Sequence, residues 1–171
     1  MAVLYLMRHG EAASAAAGDG DHERALTEAG RQAAAAIARE LVERGPAPDL
    51  VLCSSARRAR ETWSVVADEM ARLPQVTTEE GLYLAPAPAL VERLVLLAPS
   101  AAAVLLIGHN PGLYQLALGL AGDGAAEAMA TLERGFPAGA VAMLEFVDGD
   151  WLGLEDGAGK LLWFATPEDL G

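Results

Sequence analysis

The chain has 171 residues, 53 % of them hydrophobic and 21 % charged, with a formal net charge of −12 at pH 7. Such a composition supports a buried core and excludes a disordered chain. The negative balance argues against nucleic acid or an anionic membrane surface as a partner. No apolar run reaches the roughly 18 residues that cross a bilayer. A single cysteine, Cys53, leaves no internal disulfide and fits a reducing compartment. The opening residues lack the basic region, long apolar segment and cleavage site of a signal peptide, so the expected location is the cytoplasm. The length suggests one domain over residues 1–171.

In chain order, Ala2–Met7 is short, apolar and strand-forming, and stops at Arg8-His9-Gly10, where the glycine would leave room for a turn beside a ligand. Residues 11–22 are small and polar and read as a loop, with His22 exposed in it. Thr27 has the chemistry of an N-cap for a helix over Glu28–Arg44, whose apolar face carries Ala33, Ile37 and Leu41 and which Gly45-Pro46 stops. Asp49–Cys53 is a second buried strand. Ser54 or Ser55 can cap a helix over about 56–72, on which Ala59, Trp63, Val66 and Met70 form one buried stripe. Arg57 is expected in a surface ion pair, and Cys53 as a small core residue.

Gln75–Thr78 is a short third strand, followed by an irregular connection and a helix over Ala89–Leu97. Ala103–Ile107 is a fourth buried strand. Asn110 then suits an N-cap and Pro111 the first helical position of a helix reaching about Leu120. A Gly-rich loop, a short helix near 124–132, and strands over Ala140–Val147 and Lys160–Thr166 complete the chain. Alternating strands and helices predict parallel βαβ units with helices on both faces of one sheet. Ligands in such sheets bind beyond the carboxyl ends of the strands.

Those strand tips carry two of the three histidines, His9 and His109, and the adjacent pair Arg57-Arg58. No third ligand stands at metal spacing, and arginine would oppose a cation. Arginine instead suits a bidentate grip on phosphate oxygens, a helix start adds N–H donors, and neutral imidazole is a competent phosphate acceptor. The residues point to a phosphate pocket with a nucleophile inside it.

The tripeptide RHG closing the first strand, LTEAGRQA (26–33), SSARRARET (54–62) and GHNPG (108–112) together resemble the histidine phosphatase superfamily. The short chain and the GHNPGL form resemble its SixA-like phosphohistidine phosphatase branch. The resemblance implies a phosphoglycerate mutase-like fold, a three-layer α/β/α sandwich with a mainly parallel central sheet and one or more antiparallel C-terminal strands. It implies His9 as phosphate-accepting nucleophile, Arg8 and Arg58 as phosphate ligands, and His109 as a partner to the phosphoryl oxygens. Ser14 is its candidate for a small polar phosphate contact.

The implied reaction forms and hydrolyses a phosphohistidine on the enzyme, with no cofactor and no metal. Superfamily members that cleave alkyl phosphates place a Glu or Asp after the third strand as general acid. Here Glu79 and Glu80 lie in that region, so either one of them, Glu80 first, is the acid or none is needed. Absence of a distinctive acid motif favours a phosphorylated protein of the histidine-containing phosphotransfer type as partner. A small phosphate ester, handled by a phosphomonoesterase or mutase, is the alternative, and a non-catalytic phosphate-binding module the third.

Overall fold

The computed structural model describes residues 1–149 and 151–171. Its strands are β1 (Ala2–Arg8), β2 (Leu50–Ser54), β3 (Gln75–Glu79), β4 (Ala103–Gly108), β5 (Ala121–Gly124), β6 (Val141–Phe146) and β7 (Gly159–Ala165). Its helices are α1 (Glu28–Arg44), α2 (Arg57–Asp68), α3 (Ala87–Val95), α4 (Gly112–Leu120), α5 (Ala126–Arg134) and the single turn α6 (Pro167–Leu170). The strands form one sheet in the order β3-β2-β4-β1-β6-β7-β5. β1, β2, β3 and β4 run parallel, and β6 is antiparallel to both β1 and β7.

The layering follows from the two-residue period of a strand, which sends successive side chains to opposite faces. From β1, Leu4 and Leu6 enter a core with Leu90, Leu94, Leu113 and Leu116 of α3 and α4. Val3, Tyr5 and Met7 enter the other core, with Ala34, Ile37 and Leu41 of α1 and Ala59 and Val66 of α2. A strand buried on both faces must be apolar throughout, as β1 and β4 are. The expected α/β/α sandwich with a mainly parallel sheet is therefore what the chain forms.

Thr27 caps α1 as its sequence predicts, accepting from the Gly30 amide at 2.9 Å. Gly45 follows in an extended conformation, and its reason is space: a Cβ there would lie 2.2 Å from the Tyr5 hydroxyl oxygen, which donates to the Pro46 carbonyl.

Several local expectations change. Neither Ser54 nor Ser55 caps α2, because both hydroxyls bond histidines. That helix closes at Asp68 with amides of Glu69 and Met70 reaching back three residues, a tightened last turn ahead of Pro74. α3 starts two residues early, with Pro88 accommodated in its first turn. Asn110 does not cap α4, which begins at Gly112, since its side chain is turned to the Phe136 carbonyl. The Gly-rich loop after α4 holds an edge strand, β5, beside β7. Its glycines permit close backbone approach: a Cβ on Gly124 would sit 2.5 Å from the Leu161 carbonyl oxygen.

Candidate active site

Sheet order makes β2, β4 and β1 neighbours, so their carboxyl ends deliver Ser54, His109 and His9 side by side. Arg8 pairs with Gly108 across β1 and β4, so the next residue on each strand is a histidine at the same height. The two rings are 5.2 Å apart between centroids. Strand alternation then separates Arg8 from His9. Arg8 turns to the α4–α5 side, where its Nη1 donates to the Phe136 carbonyl at 3.1 Å.

Hydrogen bonds fix the state of each imidazole. His9 Nδ1 lies 2.7 Å from the Gly10 carbonyl, which can only accept, so Nδ1 carries the proton. Nε2 is left with its lone pair facing Arg58, whose Nε donates to it at 3.2 Å. Arg58 Nη2 likewise donates to His109 Nδ1 at 3.3 Å, so His109 bears its proton on Nε2 and gives it to the Ser54 hydroxyl at 2.6 Å. Burial first, then Arg58 and Arg8, depress His9 to about 4. Burial, with His9 and Arg58, depresses His109 to about 3. Both rings are neutral at pH 7, the form in which imidazole is a nucleophile or an acceptor.

Arg58 is 3 % exposed and threads between the two rings. It reaches this position from the first turn of α2, and Thr62 one turn later steadies both elements. The Thr62 hydroxyl donates to the Arg58 carbonyl at 2.7 Å and accepts from the Gly10 amide at 3.0 Å. Gly10 itself is required by packing: a Cβ would meet the Gly30 carbonyl of α1 at 2.9 Å.

The remaining faces of Arg58 are taken by a short 3₁₀ turn, Asp21–Glu23. Nη1 donates to the Asp21 carbonyl at 2.8 Å and Nη2 to Asp21 Oδ2 at 3.1 Å. Tyr83 donates its hydroxyl to the same carboxylate oxygen, and Arg24 donates to the other at 3.1 Å. Tyr83, Arg24 and Arg58 hold the Asp21 carboxyl far below the usual range, Tyr83 most of all. The loop is pinned by the bridge between Ala12 and Leu26 and by Glu61, which accepts from the Leu26 amide at 2.7 Å.

The sequence expectations fare unevenly. His9, Arg58 and His109 are in direct contact, and Arg8 sits alongside with its buried Nε unpartnered. Ser14 is exposed on the loop and touches none of them. Glu80 is exposed at the start of a 3₁₀ turn with no side-chain bond to the site. Glu79 is spent on a bidentate pair with Arg93 at 2.8 Å. The side chain that reaches the site from this segment is Tyr83, whose ring packs edge-on to His109 at 5.4 Å and lies 5.9 Å from the Arg58 guanidinium carbon.

Asp21, Tyr83, Ser54 and Thr62 went unassigned to the site in the sequence. Ser54 and Thr62 lie inside the SSARRARET motif and were available from it; Asp21 and Tyr83 sit in loops without periodicity and were not. His22 is not simply exposed, for its Nε2 meets the Ser55 hydroxyl at 2.9 Å and its ring packs on Tyr83. Arg57 does form the expected ion pair, with Glu61 at 2.9 Å. Cys53 is fully buried and its thiol is pushed up to about 12 by burial, as fits a core residue.

Two neutral imidazoles, a buried guanidinium between them and a second guanidinium beside them, all at the carboxyl end of a parallel sheet, define a phosphoryl-transfer type of site. Residues 4–83 match the histidine phosphatase superfamily (branch 1). An uncharacterised protein of Mycobacterium tuberculosis is 34 % identical over 165 residues, 94 % of this chain and 99 % of that one. A candidate phosphohistidine phosphatase SixA from Nakamurella multipartitia is 30 % identical with a TM-score of 0.83, covering 97 % of this chain and 96 % of that one. A similarly described protein from Agrobacterium tumefaciens is 28 % identical with a TM-score of 0.81, over 97 % and 98 % of the two chains. The chain belongs to the histidine phosphatase superfamily, in its SixA-like branch, and is a phosphatase-class hydrolase. His109 lies beyond the matched segment, and the fold supplies it.

Proposed function

We propose that the protein hydrolyses phosphohistidine on a partner protein through a covalent phosphohistidine intermediate on His9. The observation that carries this reading is the state of His9: Nδ1–H tied to the Gly10 carbonyl, Nε2 free of a proton and beside Arg58. In the first step the Nε2 lone pair attacks phosphorus in line, the substrate P–N bond breaks, and the leaving imidazole takes its proton from solvent. In the second, water attacks the phosphoryl group on His9, yielding inorganic phosphate and restoring the neutral ring. Arg58 supplies N–H donors to the phosphoryl oxygens, His109 joins it once Nδ1 leaves Arg58 and takes a proton, and Arg8 contributes positive charge with its unpartnered Nε.

The carboxylates around the site favour a phosphoramidate over an alkyl ester. An alkoxide leaving group needs an acid, and none of Glu79, Glu80 and Asp21 is placed to supply the proton. Glu79 is bound to Arg93, Glu80 is exposed, and Asp21 is held ionised by its donors. An imidazole leaving group has no such requirement.

A cleft of about 860 Å³ opens beside Arg8, walled by Asn110, Tyr114, Phe136 and Arg134, on the flank away from His9, Arg58 and His109. The experiment is a brief pulse of labelled phosphohistidine protein followed by trapping. Label on His9, absent from His9→Ala, with poor turnover of a panel of phosphate esters, is the expected result. Fast hydrolysis of a sugar phosphate with none of phosphohistidine would overturn the substrate assignment in favour of the small-molecule phosphomonoesterase.

A further inference from the structure

We infer that Asp21 is a resident anion seated on Arg58, occupying the phosphoryl group's place and leaving it when substrate binds. This inference rests on the proposed reading of the site as a phosphate pocket, and adds how that pocket is held when empty.

The geometry is specific. Arg58 Nη2 faces His109 Nδ1 at 3.3 Å and also donates to Asp21 Oδ2 at 3.1 Å. Arg58 Nε faces His9 Nε2, the atom that must reach phosphorus. An anion accepting from Nη2 therefore lies between the two histidines' partner and the loop, where a phosphoryl oxygen must also come. Carboxylate and phosphate oxygens compete for the same planar guanidinium fork. Two anions on one buried arginine repel each other, so phosphate on Arg58 weakens the hold on Asp21.

A reason for such a seat also follows. A guanidinium 3 % exposed, with no counter-charge, would be costly, and both imidazoles near it are neutral. Asp21 supplies the charge while phosphate is absent. It is held by Tyr83 and Arg24, and its neighbour His22 is bonded to Ser55 at the head of α2. The turn is also able to withdraw. Asp21 and Glu23 are exposed, the turn contains no buried residue, and it is preceded by Gly20 and by Gly18, whose φ of 88° is left-handed. Holding the competent state in the minority lowers apparent affinity by the fraction that is open. Asp21 thus sets how tightly the product phosphate is retained.

Calorimetric titration with tungstate, a phosphate-shaped dianion, tests this on wild type, Asp21→Asn, Tyr83→Phe and Arg58→Ala. Asp21→Asn is expected to bind about tenfold more tightly than wild type, and Tyr83→Phe more tightly by a smaller factor. A structure of the wild-type tungstate complex is expected to show Asp21 Oδ2 beyond hydrogen-bond distance of Arg58. Equal or weaker binding by Asp21→Asn, or tungstate bound with the Asp21–Arg58 contact intact, overturns the resident anion. If wild type binds and Arg58→Ala does not, that failure leaves the phosphate pocket standing. If neither wild type nor Asp21→Asn binds tungstate, the pocket and the resident anion both fall.

Discussion

The Ser54 hydroxyl lies 2.6 Å from Nε2 of His109, and it also accepts from the Ala56 amide at 3.3 Å. One hydroxyl at the tip of β2 thus takes the Nε2 proton of a histidine on β4, whose Nδ1 must accept because Arg58 can only donate. With Nε2–H donated to Ser54, Nδ1 is left as the acceptor for Arg58. Ser54→Ala removes the acceptor of the Nε2 proton without touching the reacting atoms, so the His109 ring is free to rotate. Turnover is expected to fall on the order of tenfold, with the acid limb of the pH–rate profile displaced. Ser54→Thr, which restores the hydroxyl, is expected to recover most of the loss.

Arg58 engages four acceptors through a planar fork, and a lysine ammonium cannot reproduce that geometry. Arg58→Lys is therefore expected to lower turnover about a hundredfold, nearly as far as Arg58→Ala. Steady-state kinetics on a phosphohistidine protein distinguishes this from a requirement for charge alone, under which the lysine variant would be largely active.

Both histidines have folded-state values below the ordinary 6.5, at about 4 for His9 and about 3 for His109. The unfolded chain binds protons first as pH falls, so stability is full above about 6.5 and is lost below it. Each ring contributes a slope of about 1.4 kcal/mol per pH unit until its own folded value is passed. Chemical denaturation between pH 7 and pH 4 is expected to show this decline. His109→Gln should flatten it, since an amide does not titrate.

Thr62 joins Arg58 to Gly10 through one buried hydroxyl that both donates and accepts. Thr62→Val keeps the shape and deletes both bonds, leaving the Gly10 amide without its acceptor. A loss of about 1–3 kcal/mol in unfolding free energy is expected, together with reduced turnover. Urea denaturation measures the first and a phosphohistidine assay the second.

Glu80→Gln and Ser14→Ala serve as the contrasting pair. Both side chains are exposed and neither bonds to the site. Turnover of phosphohistidine is expected within about twofold of wild type for each, since exposed groups away from a network contribute little. A large loss in Glu80→Gln, confined to ester substrates, would restore Glu80 as a general acid.

The sequence by itself determined the sheet apart from its edge strand β5, its mainly parallel character and the residues at its strand tips. Those follow from local rules: apolar runs such as Ala2–Met7 are long enough only for buried strands, and Thr27 carries its cap chemistry in its own side chain. His9, Arg58 and His109 could be placed at one edge because strand ends in such a sheet share a side. The tertiary structure decided which way each side chain turned once there. Strand alternation put Arg8 on the face opposite His9, and a capping candidate, Ser54, went to His109 because a buried imidazole N–H needs an acceptor. Likewise the side chain that reaches His109 from the segment after β3 is Tyr83, while Glu80 stays exposed at the start of a 3₁₀ turn. Asp21 on Arg58 joins residues 37 apart in sequence, and no periodicity or spacing encodes such a contact. Pairings of that kind arise only when packing closes the loop over the sheet.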